Sequence, residues 1–163
     1  MEDTQFFNKD QTGKIHLNIH MFKVFLEEKN YFKHKPNDKS TFSFVQKNGI
    51  FVEPKDETDI KDFVLTYTLS KNLGTDVFNL LAGRTSLFKR DFLSMLDSKE
   101  IKTLKDTKEI AYLYYENGIV EVTKDSKALK LYEDYNVSIW HDQVIKRKYI
   151  ETDHHDSEFR EFI

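Results

Sequence analysis

Residues 110–123 read Ile-Ala-Tyr-Leu-Tyr-Tyr-Glu-Asn-Gly-Ile-Val-Glu-Val-Thr. Two alternating runs flank Asn117-Gly118, and Asn-Gly between such runs is the strongest short hairpin signal, because a type I′ turn needs positive φ at both central residues. Centring the turn there sets Glu116 opposite Ile119, Tyr115 opposite Val120 and Leu113 opposite Val122. One face then gathers Ala111, Leu113, Tyr115, Val120 and Val122, and the other Tyr112, Tyr114, Glu116, Ile119, Glu121 and Thr123. A slip of one residue would mix the two sets. A lone hairpin is marginal in water, so the apolar face is expected to rest on the helices before it.

Upstream, Asn18 is placed to cap a helix running to about Lys29, with Ile19, Phe22, Phe25 and Leu26 on one face. Tyr31–Lys33 and Thr41–Gln46 lie either side of Pro36-Asn37-Asp38, and Lys47-Asn48-Gly49 leads into Ile50-Phe51-Val52. Residues 31–52 therefore read as an antiparallel meander, closed by Pro54. Asp56 caps a second helix, with Asp59 near its positive end and Ile60, Phe63, Val64 and Tyr67 as its stripe. Asn72-Leu73-Gly74 stops it. Thr75 is expected to cap a short helix bearing Val77, Phe78 and Leu81, which ends at Gly83. A third helix of this group is predicted over about 86–96, with Phe88, Phe92, Met95 and Leu96 inward, followed by a lysine-rich loop over 97–108. After the hairpin, 128–132 and 137–149 look extended. Asp153-His154-His155-Asp156 reads as a solvated turn, and Ser157 begins an amphipathic helix with Phe159, Phe162 and Ile163.

The fold class that follows is α+β: small antiparallel hairpins and a meander packed on a helical cluster. Three helices followed by a hairpin also match the order of a winged helix. Residues 1–14 are polar apart from Phe6-Phe7 and read as a flexible N-terminal arm, either loose or docked by those rings. Residues 15–163 read as one domain whose C-terminal pattern breaks off like that of a domain cut from a longer protein.

Composition bounds the function. The 163 residues are 33% charged and 39% hydrophobic, and the 14 Phe and 8 Tyr indicate a folded chain. There is no cysteine, which removes disulfide and thiolate chemistry. No apolar run approaches a membrane span, and the first residues lack the basic and apolar regions of a signal peptide, so a cytoplasmic location is expected. The net charge of −3 gives no global support for nucleic-acid binding, which would need a local patch.

Catalytic patterns do not emerge. His16 and His20 are four apart, but Asn18 starts the helix between them and no carboxylate completes a metal motif. His154-His155 reads as surface. Glu27/Glu28 and Asp56/Glu57/Asp59 sit at helix ends, where capping explains them. No nucleophile elbow and no glycine-rich phosphate loop are present. No cofactor is expected, and an enzyme has the least support. The basic residues do cluster: Lys146-Arg147-Lys148 after an extended run, and Arg84, Lys89 and Arg90 around the third helix. Lysines also line the loop at 99, 102, 105 and 108. Tyr112 and Tyr114 lie on the hairpin's mixed face, where rings could stack on bases. Ordinary solvated lysines and packing tyrosines explain the same residues. Trp140 could stack or pack as well, and among Ile139, Val144 and Ile145 it reads more as core.

Four blocks carry a family resemblance. They are Ala111-Tyr-Leu-Tyr-Tyr-Glu-Asn-Gly-Ile-Val-Glu-Val-Thr-Lys-Asp125, Leu131-Tyr-Glu-Asp134, Ile139-Trp-His-Asp-Gln-Val-Ile145 and Ser157-Glu-Phe-Arg-Glu-Phe-Ile163. Phe25–Phe32 and Asn48–Val52 fit more loosely. Together they resemble the region just upstream of the ATPase in primase–helicases of phages and mobile elements of Bacteroidetes-type bacteria, which are similar to poxvirus-type primase–helicases with a superfamily 3 helicase core. The resemblance implies a non-catalytic accessory domain of a replication primase–helicase. In that family a motor with Walker motifs follows this region, and neither those motifs nor primase carboxylates occur here. The expected partners are single-stranded or forked DNA and the helicase motor or neighbouring subunits, with no membrane, in a bacterial cell, from a phage or its host. The alternative is a protein–protein interaction module without a nucleic-acid role, using the hairpin and the C-terminal helix.

Overall fold

The computed structural model describes residues 5–36 and 41–151. The fold is α+β and divides into two compact units, 1–102 and 103–163. The turn at 153–156 and the helix from Ser157 lie outside the described residues, as do Asn37 and Asp38.

The first unit opens with a hairpin of β1 (Phe7–Lys9) and β2 (Ile15–Leu17), paired through Phe7–Leu17 and Lys9–Ile15. Residues 7–9 of the N-terminal arm, read as loose or docked by its rings, form a strand. Phe6 is its anchor: its ring is 1% exposed and lies 4.6 Å from Phe25 and 5.4 Å from Phe22. Helix α1 (Ile19–Glu28) begins where Asn18 predicts, the Asn18 side chain accepting from the Met21 N–H. Phe22, Phe25 and Leu26 are buried, whereas Ile19 at the first turn is 41% exposed.

The meander is β3 (Tyr31–His34), β4 (Ser43–Asn48) and β5 (Phe51–Lys55), all antiparallel. Pro54 does not close it. It sits inside β5 opposite Val45. The β4–β5 turn is Gly49-Ile50, with Gly49 at φ +62°. Helix α2 (Glu57–Ser70) has a reciprocal capping box. The Asp56 side chain accepts from the Asp59 N–H at 2.8 Å, and the Asp59 carboxylate accepts from the Asp56 N–H at 2.9 Å.

Helix α3 (Thr75–Gly83) follows directly, but Gly74 at φ +104° is its N-cap and Thr75 its first residue, a correction to the expected Thr75 cap. The single helix expected over 86–96 is also corrected. Thr85–Phe88 forms a 3₁₀ turn, Lys89 is extended (ψ 148°), and α4 covers only Arg90–Leu93. That break buries Leu87, Phe88, Leu93 and Leu96 together, a set that no single helical stripe collects. Helices α2, α3 and α4 precede the hairpin at 110–123 in chain order, as the winged-helix reading has them, and the hairpin belongs to the other unit. The core of the first unit is largely aromatic, with Phe22, Phe25, Tyr31, Phe44 and Phe88 buried beside Ile60, Val64, Val77 and Leu81.

The second unit is built on β6 (Ile110–Tyr115), β7 (Gly118–Thr123) and β8 (Lys127–Lys130), antiparallel in that order. The hairpin forms in a register two residues from the expected one. Tyr115 pairs with Gly118, Leu113 with Val120 and Ala111 with Val122, so the turn residues are Glu116-Asn117. Because side chains alternate with period two, the two faces keep their expected members. Burial does not follow them cleanly: Leu113 on the apolar face is 42% exposed, and Ile119 on the mixed face is fully buried.

Gly118 explains the displaced turn. It stands at φ +151°, and a Cβ there would come 2.3 Å from the Lys130 carbonyl oxygen on β8. Its missing side chain admits β8, which a turn position would not require. Beyond β8 come a 3₁₀ turn over Tyr132–Asp134, an extended pair Ile139–Trp140 and another 3₁₀ turn over His141–Gln143. The run expected to be extended over 137–149 is therefore interrupted.

Three stability measurements follow. Gly118→Ala is expected to cost about 2 kcal/mol or more in denaturant unfolding, because backbone must move to admit the methyl group. Gly49→Ala, with open space around it, is expected to cost only about 1 kcal/mol for its left-handed φ. Asp56→Ala is expected to lose about 1 kcal/mol by opening the capping box.

Candidate nucleic-acid interface

The hairpin's mixed face and its outer edge form the candidate site. In a two-residue hairpin closed by Tyr115 and Gly118, alternate residues of β6 turn their backbone groups away from β7. Those are Ile110, Tyr112 and Tyr114, and the turn residue Glu116 continues the series. The chain on either side meets this edge. The Ile110 carbonyl accepts from the Thr107 N–H at 2.9 Å, and the Tyr112 N–H donates to Asp106 Oδ1 at 3.0 Å. Further along, the Ile145 N–H donates to the Tyr114 carbonyl at 2.8 Å, and the Glu116 N–H donates to the Arg147 carbonyl at 3.1 Å.

The returning chain is locked at the hairpin tip. The Asn117 amide donates to the Tyr149 carbonyl (3.0 Å) and accepts from the Tyr149 N–H (2.7 Å), while the Tyr149 ring lies 5.4 Å from that of Tyr115. Lys146-Arg147-Lys148 is thereby fixed along the end of β6 with all three residues exposed. The Arg147 guanidinium lies 6.0 Å from the Tyr115 ring.

Beside this run is a cleft of about 600 Å³, lined by Lys105, Asp106, Tyr112, Tyr114, Trp140 and Gln143 among others. Tyr112 and Tyr114 reach the same cleft, as expected of residues on one face of a strand, and Trp140 lines it as well. Asp106 and Gln143 were not singled out from the sequence. Nothing in their local spacing marks them, since the chain's return to β6 brings them there.

Three phenols of this unit, those of Tyr114, Tyr132 and Tyr135, have raised pKa values. Burial raises the pKa of Tyr114, helped by the negative charge of Asp106, and burial raises that of Tyr132. Burial also raises Tyr135, whose hydroxyl donates to Glu121 Oε1 at 2.5 Å. The Tyr132 hydroxyl donates to the Tyr115 carbonyl.

Arg84, Lys89 and Arg90 belong to the first unit. Arg84 and Lys89 are exposed, at the end of α3 and at the break before α4. Arg90 is engaged: its guanidinium stacks 4.3 Å from the Phe42 ring, donates to the Phe42 carbonyl and lies 3.7 Å from Glu57. Its charge braces the meander against α2. His16 is in β2, with its Nε2 2.8 Å from Asp10 Oδ2, and His20 is in α1, so the pair does not share a helix. Among the described residues no cluster of three or more His, Asp or Glu could hold a metal ion, and no described helix is long and apolar enough to cross a membrane.

Comparison with known protein families, with curated proteins and with solved structures finds no match for this chain.

The raised phenol pKa values set an alkaline limit. A group whose folded pKa lies above its unfolded value leaves stability intact below the unfolded value, about 10 for tyrosine, and removes it as pH rises through the folded value. The native protein's phenolate absorbance should therefore lag behind that of the urea-unfolded chain above about pH 10, and the lagging fraction should appear together with loss of the fold. Coincident native and unfolded titration curves would show that these rings are not held neutral.

Proposed function

We propose that this chain is a non-catalytic accessory domain of a phage-like DNA replication primase–helicase, contacting single-stranded or forked DNA. The observation that carries this reading is the anchoring of Lys146-Arg147-Lys148 to the β6 edge, directly beside a cleft bearing Tyr112, Tyr114 and Trp140. Single-stranded nucleic acid is held by that combination, in which cations follow the phosphates and aromatic rings take the bases. The resemblance of residues 111–125 and 139–145 to the region upstream of a helicase motor supports the same reading. It makes the motor or neighbouring subunits the protein partners and the bacterial cytoplasm the setting. Arg84 and Lys89 are secondary contributors on the first unit.

Fluorescence anisotropy of labelled single-stranded and forked DNA tests this. Affinity is expected to fall about tenfold or more between low and moderate salt, as counterion release by several phosphate contacts requires. It is expected to be lost when Lys146, Arg147 and Lys148 are all changed to Glu. Absence of binding at low salt, or equal binding by the triple variant, would remove DNA as the partner of this surface and favour a protein-interaction module.

A further inference from the structure

The outward edge of β6 is satisfied from the Ile110 N–H, which donates to Thr107 Oγ1 at 3.1 Å, to the Glu116 N–H, with one interruption. Asp106 takes the Tyr112 N–H and Ile145 serves the Tyr114 carbonyl. Between them the Tyr112 carbonyl and the Tyr114 N–H have no partner among the described residues. The gap exists because the chain before Ile145 turns away as the 3₁₀ turn His141–Gln143 and does not continue along β6. Tyr112, Leu113 and Tyr114 all line the 600 Å³ cleft. Tyr112 and Tyr114 flank the slot on one face of the sheet, and Leu113, 42% exposed, flanks it on the other.

We propose that this slot is a nucleobase-reading site: the Tyr112 carbonyl and the Tyr114 N–H bind the Watson–Crick edge of one unpaired base, seated between Leu113 and the tyrosine face. The inference rests on the DNA-binding reading above and deepens it. Each standard base offers on that edge a donor beside an acceptor, such as thymine N3–H and O4 or adenine N6–H and N1, and unpaired bases are recognised by hydrogen bonds at this edge together with flanking contacts. A carbonyl at one residue and an N–H two residues on, both on the free side of a strand, match that pair. An added peptide strand would need a longer run of free edge groups, and here Asp106 closes one side and Ile145 the other. The adjacent Lys146-Arg147-Lys148 run suits the phosphates of the same strand. Because a duplex already uses the pairing edge, the site selects unpaired DNA.

The test compares three labelled strands of equal length on the full chain: oligothymidylate, the same strand with N3-methylthymidine, and an abasic strand. Methylation removes the N3–H donor and blocks the edge while keeping the ring and the phosphates. Oligothymidylate is expected to bind about tenfold tighter than either of the others, the scale of two modest hydrogen bonds. In ¹⁵N-edited NMR, the Tyr114 amide should shift with oligothymidylate and not with the abasic strand. Tyr114→Pro, which removes the N–H at an edge position that tolerates proline, should bind more weakly than Tyr114→Ala, which loses only the ring. The NMR readout on the unaltered chain stands even where the proline variant does not fold. Equal, salt-sensitive binding of all three strands with an unmoved Tyr114 amide overturns the base slot and leaves DNA binding intact. No binding of any strand at low salt overturns both. A Tyr114 shift produced by an extended Val-Thr repeat peptide, but not by oligothymidylate, overturns the slot in favour of strand addition.

Discussion

The Asn117 side chain holds the second unit's candidate surface together. It grips both backbone groups of Tyr149, 32 residues on, as a β-strand partner would. Each such bond contributes only about 1 kcal/mol net, but their position matters more than their sum. They fix the end of a segment that Ile145 and Arg147 have already docked onto β6. Three consecutive cations, which on a free loop would sample many directions, are thereby confined to one line beside the hairpin. The same docking stops at Ile145, and that stop leaves the Tyr112–Tyr114 gap. One local constraint thus orders the basic run and bounds the slot next to it.

Local chemistry was readable from the sequence wherever a few neighbouring residues decide the outcome. Asn18 and Asp56 cap their helices because a side-chain oxygen needs only the next turn's N–H groups. The stripes Phe22/Phe25/Leu26 and Ile60/Val64 are buried because helical spacing alone collects them. Reading failed where a distant partner decides. Asn117-Gly118 has the pattern of a two-residue turn, yet Asn117 is engaged by Tyr149 and Gly118 is needed to admit the Lys130 carbonyl, so the turn sits one residue earlier. The helix expected over 86–96 breaks at Lys89 because Leu87, Phe88, Leu93 and Leu96 all find the core only when the chain bends. For Phe6 the sequence leaves a loose arm and a docked ring open, because the ring's neighbours, Phe22 and Phe25, are more than a dozen positions away.

The site divides in the same way. Lys146, Arg147, Lys148, Tyr112 and Tyr114 could be picked out by residue type and clustering. The contributions of Asp106, Gln143 and the bare backbone groups of Tyr112 and Tyr114 could not. They depend on strand register and on where a returning chain leaves the edge, and neither is encoded in a short window.

Comparing two arginines shows why a count of basic residues misjudges a surface. Arg90 and Arg147 both sit in short basic clusters and both lie near aromatic rings. Arg90 stacks on Phe42, donates to that residue's carbonyl and meets Glu57. Its guanidinium has protein partners although about half of its side chain stays accessible, and replacing it would loosen the meander's contact with α2. Arg147 is held by its backbone, through its carbonyl to Glu116 and its N–H to the Ile145 carbonyl, while its side chain is exposed at 6.0 Å from the Tyr115 ring. A cation fixed by its main chain keeps its side-chain donors for a ligand at little further ordering cost. What decides whether a cation can serve phosphate is therefore which of its groups the fold has already engaged, and by that criterion the run at 146–148 is the stronger surface of the two.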